Sequence, residues 1–93
     1  MLTHIVLFKL KDRSGLEKAR ETLLSMKGRI PGLRHLEAGV DVVQAQRSYD
    51  LVLVARFDSM EDMLAYQVHA VHVEVSEFMT AIRESSVSVD FES

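Results

Sequence analysis

A ferredoxin-like α+β fold, with two helices on one face of a four-stranded antiparallel sheet, is what this sequence of 93 residues predicts. Four segments carry the apolar alternation of a strand, two carry the three-to-four-residue spacing of a helix, and their order is βαββαβ. No linker, repeat or low-complexity tract interrupts them, so residues 1–93 read as one domain. Its 47% of hydrophobic residues suffice for one core without crosslinks.

Residues 3–10 form the first strand, in which Ile5, Val6, Leu7 and Phe8 favour the pleated state and both faces are partly apolar. His4, Val6, Phe8 and Leu10 share one side; Thr3, Ile5, Leu7 and Lys9 share the other. Ser14 and Glu17 match a capping box, and a helix from about 15 to 27 follows, with Leu16, Ala19, Leu23, Met26 and Ile30 on one stripe. Gly28 and Ile30-Pro31-Gly32 end it. Leu33 to Val43 alternates as a half-exposed strand in which Gly39 marks a candidate bulge, and Tyr49 to Phe57 folds back on it as a hairpin. Asp58-Ser59 opens a second helix with Glu61 and Asp62 in its first turn. Its apolar set, Met60, Leu64, Val68, Val71, Val75, Phe78, Met79 and Ile82, runs for about 25 residues, twice the usual helix length, so the helix spans the sheet or bends. Ser86 to Phe91 closes the chain as a one-sided strand.

Composition narrows the function. A net charge of -3 with no block of like sign, no Trp, two Tyr and four Phe argue against nucleic acid as a partner. No apolar run approaches the roughly 20 residues of a membrane helix, so no membrane partner is expected. The chain has no Cys, which excludes disulfides and permits a reducing compartment, and a cytoplasmic setting is the expectation. The outer sheet face would carry Ile5, Leu7, Val52 and Val54, too apolar to leave in water, and predicts a homodimer packed sheet against sheet.

Chemistry concentrates in Tyr66-Gln67-Val68-His69-Ala70-Val71-His72, one phenol and two imidazoles at three-residue intervals. On a straight helix, 100° per residue sets His72 at about 80°, His69 at about 140° and Tyr66 at about 200° from the Leu64/Ile82 stripe, which leaves Tyr66 in solvent. A break near Ala70 would instead aim Tyr66 and His72 into one cavity. Both arrangements stay open on spacing alone. His4 lies on the helix-covered face with Val6 and Phe8, and Leu51 and Leu53 line the facing strand, so these five with His69 are the candidate ligand-binding residues. They suit a small apolar or aromatic ligand. No metal is expected, because His-x-x-His lacks the i, i+4 register and glutamate of a zincin helix, and no motif calls for a cofactor.

The chain resembles the stress-responsive A/B barrel domain family of dimeric α+β barrels over nearly its whole length. The resemblance is carried by His4-Ile5-Val6-Leu7-Phe8-Lys9-Leu10-Lys11, Ile30-Pro31-Gly32, Gly39-Val40-Asp41, Tyr49-Asp50-Leu51-Val52, Phe57-Asp58-Ser59, Tyr66-x-x-His69-x-x-His72 and Val89-Asp90-Phe91. That family includes plant stress proteins, antifungal proteins and a polyketide cyclase, and the resemblance implies that His72 acts as a base and Tyr66 orients a substrate, as their counterparts do in the cyclase. A non-enzymatic dimerisation domain is the alternative, and a cofactor-free monooxygenase a third by analogy with similar barrels. The sequence departs from the family at Ala70, where Pro is usual, and at Leu51, where the cyclase carries a cavity-facing histidine.

Overall fold

A computed structural model describes residues 1–93. The elements are β1 (Leu2–Leu10), α1 (Leu16–Leu24), β2 (His35–Val40), β3 (Leu51–Phe57), α2 (Met60–Val68), α3 (Ala70–Ile82) and β4 (Arg83–Glu92). The strands form one sheet in the order β2-β3-β1-β4. Every pairing is antiparallel. This is the ferredoxin-like arrangement expected from the element order, with the long second helix divided in two.

Parity along each strand sets the core. Leu2, Phe8 and Leu10 of β1 point to the helix side with Leu36, Ala38, Leu51, Leu53, Ala55 and Phe57, and Ala19, Leu23 and Met26 of the first helical segment close over them. The stripe read from the sequence is therefore the buried one. Gly28 and Gly32 hold positive φ values of 76° and 86°, the left-handed backbone that the turn after α1 requires.

Local departures have local causes. The Asp12 carboxylate accepts the Ser14 N–H, which ties that segment into a short 3₁₀ turn, Arg13–Gly15. Gly15 then caps α1 without a side-chain bond, so the Ser14/Glu17 capping box does not form. Gly39 makes no bulge, for β2 and β3 pair in unbroken register from His35 to Val40. The irregularity falls instead between Lys9 and Leu10, where β1 meets the start of β4.

The long helix breaks at His69, whose backbone is extended at φ -65° and ψ 139°. Its Nδ1 accepts the Val71 N–H at 3.1 Å, so the imidazole serves as the N-cap of α3. The break resets the helical phase. Met63 and Tyr66 turn inward, whereas Leu64 and Val68, expected on the buried stripe, stand 53% and 78% exposed.

This geometry also explains why Ala70 suffices where the resemblance leads one to expect proline. Ala70 is the first residue of α3, where a missing N–H costs nothing, and the ψ of His69 is the value a residue before proline prefers. Ala70→Pro should then raise stability by about 0.4–1 kcal/mol through the unfolded chain, measured as a higher urea midpoint. A drop of that size would show that the junction is not the preformed one described.

On the outer face, cross-strand register sets Ile5 between Val54 and Val89, and Leu7 between Val52 and Val87. β4 thus enlarges the patch expected from β1 and β3. Val87, Val89 and Phe91 are 47%, 61% and 43% exposed in the single chain.

Candidate functional site

α1 and α2 pack against β2 and β3. β4 offers only the small inner side chains Ser86 and Ser88 opposite Phe8 and Val6. Space therefore remains between α3 and the β1–β4 half of the sheet, a cavity of about 260 Å³. His4, Val6, Phe8, Leu53, Tyr66 and His72 all line it.

At one end four rings converge. Tyr66 is fully buried, with ring centroids 4.4 Å from His72, 5.0 Å from Phe57 and 6.2 Å from His4. Its hydroxyl has no hydrogen-bond partner. Burial pushes the phenol pKa well up, so the group stays protonated and available as a donor.

His72 comes from the first turn of α3, and its Nδ1 lies 3.0 Å from the Gln67 carbonyl of α2. A carbonyl only accepts, so Nδ1 carries the proton and Nε2 of the neutral ring keeps its lone pair. Burial lowers the His72 pKa; the Gln67 carbonyl works against the shift and the neighbouring His4 adds to it. A neutral base and a neutral acid thus stand side by side.

His4 faces Asp90 across the β1–β4 pair. Its Nδ1 donates to the Asp90 carboxylate, fixing the ring. Asp90 was not among the candidate site residues read from the sequence, and neither were Arg83, Ser86 and Ser88. Strand parity could have put the serines and Asp90 on the inner side, but only knowledge that β4 pairs with β1 places Asp90 against His4.

Two expected ligand residues lie elsewhere. His69 turns its ring back to cap α3 and is not part of the cavity wall. Leu51 sits 2% exposed in the core on β3, two residues along the strand from Leu53, and is not part of the cavity wall. No three His, Asp or Glu side chains converge in a metal-ligating group.

The stability of the site should report its unpartnered hydroxyl. Replacing Tyr66 by Phe removes a buried donor with no acceptor and leaves the ring packing intact, so stability should rise by about 1 kcal/mol or more. Chemical denaturation measures this. A loss of stability would mean that the hydroxyl is bonded in solution.

Sheet order, helix placement and the ringed cavity define a ferredoxin-like α+β domain with one open side between its edge strand and last helix. The chain belongs to the Stress responsive A/B Barrel Domain family, whose model matches residues 2–93. It is similar to a dimeric ferredoxin-like protein from Thermobifida fusca at 27% identity and a TM-score of 0.88, covering 99% of this chain and 90% of that chain. A dimeric ferredoxin-like protein from Bacteroides fragilis matches at 26% identity and 0.85, over 99% and 95% of the two chains. A hydroxynitrile lyase from Passiflora edulis, at 15% identity and 0.82 over 97% and 90%, shares the fold. No curated protein matches the sequence significantly. No helix is long and apolar enough to cross a membrane.

Proposed function

We propose that this protein is a homodimer, joined through the outer sheet face, in which each cavity binds a small apolar or aromatic carbonyl compound and moves a proton on it. His72 Nε2 takes a proton from the carbon next to the carbonyl. The C–H electron pair forms the enolate, and the Tyr66 hydroxyl donates a hydrogen bond to its oxygen. If the ligand carries a second carbonyl, the enolate carbon can attack it, and the His72 imidazolium returns its proton to the new alkoxide. The carrying observation is a buried, unpartnered phenol beside a neutral imidazole whose Nε2 is free.

The test is deuterium incorporation next to the carbonyl of an aryl ketone such as acetophenone in D₂O, followed by NMR. Wild type should accelerate exchange and His72→Gln should not. Equal rates in the two proteins and in buffer would defeat this reading and leave a dimeric scaffold whose rings are only structural.

A further inference from the structure

We infer that the ligand is an elongated organic anion, its carboxylate held by Arg83 at the end of the cavity remote from Tyr66 and His72. The inference rests on the functional reading above and adds the ligand's charge and length. Arg83 is the one Lys or Arg among the residues lining the cavity, and no Asp or Glu lines it. The ion pairs formed by arginines use Arg13, Arg20 and Arg34, so Arg83, a half-buried residue, has no carboxylate on it. Ser76, Thr80 and Ser86 add hydroxyls to the wall. A cation among hydroxyl donors, with no competing acid, suits a carboxylate, which guanidinium binds through two parallel hydrogen bonds.

Position supplies the length. Arg83 begins β4 opposite Leu10, whereas Asp90 near its other end lies opposite His4. Eleven residues of helix and its cap separate His72 from Arg83, about 16 Å of rise, and the inward reach of the two side chains leaves on the order of 10 Å. Val6, Phe8, Leu53 and Met79 line the stretch between. The ligand described is then a carbonyl end, an apolar middle and an anionic tail.

The probe is 8-oxononanoate, whose ketone and carboxylate carbons lie about 9 Å apart when extended, compared with its methyl ester. Both are titrated by NMR into wild type, Arg83→Gln, Arg83→Lys and Tyr66→Phe, with thermal unfolding confirming that each variant is folded. Wild type should bind the acid about tenfold more tightly than the ester, as expected for a hydrogen bond to a charged group. Arg83→Gln should abolish the preference, with ester binding unchanged, and Arg83→Lys should retain part of it. Equal binding of acid and ester by wild type, a preference that survives Arg83→Gln, or binding of neither probe would overturn the inference. If Tyr66→Phe weakens both probes and neither is preferred, the carbonyl reading stands and the anion site falls. If the acid preference persists and Tyr66→Phe changes nothing, the anion site stands and the carbonyl reading falls.

Discussion

His72→Gln should lower the rate of ketone deuterium exchange by about 10²–10⁴, the usual contribution of a positioned general base. Glutamine preserves the size of the side chain and a donor toward the Gln67 carbonyl, so the loss should fall on the chemistry and leave the fold intact. The pH profile provides a second check. The base form of His72 is the neutral ring, and burial lowers its pKa, so it persists further into acid than an ordinary histidine. The half-point of wild-type exchange should lie below about pH 6.5, the unperturbed histidine value, with the rate falling toward acid. A half-point above that value would contradict the lowering of the His72 pKa by its half-buried position. Tyr66 stays protonated throughout this range and adds no second limb.

Val89→Lys should convert the protein from dimer to monomer. Val89 is 61% exposed in the single chain, and its neighbour across the strands is Ile5. The ammonium group is thus well solvated in the monomer, and the fold should survive. In a two-fold interface the same change enters twice, and two cations are pushed toward one apolar patch, where desolvation and repulsion cost several kcal/mol. Sedimentation equilibrium should show an association at least about 100-fold weaker. A dimer of unchanged strength would move the interface away from this face. Lys9→Ala is the control, because Lys9 shares the outer side of β1 but lies beyond the Ile5/Leu7 patch, at the register shift; it should leave the dimer intact.

How much of this was legible beforehand depended on whether the deciding interaction was local. Period-two alternation in β1 and β3 put His4, Val6, Phe8 and Leu53 on the helix side, and the structure keeps all of them there. Ser59 was read as opening the second helix and does so, accepting the Asp62 N–H at 3.2 Å. The capping box failed because Asp12, two residues upstream, offered a competing acceptor for the Ser14 N–H. The orientation of Tyr66 turned on a junction that propensity does not announce: alanine does not break helices, and histidine is an uncommon cap. Once His69 is extended, the inward turn of Tyr66 and the outward turn of Leu64 follow together. The His4–Asp90 pair and the reach of Arg83 depend on which strands meet, and residues more than 70 positions apart leave no trace of that in spacing.

Because Tyr66 and His72 stand on separate half-helices joined at one extended residue, their separation is set by an angle that neither controls. A substitution at 69 or 70 can retune acid against base while both stay in place. The two positions act as a vernier on the site, through which one scaffold could be fitted to different ligands without losing its reactive pair.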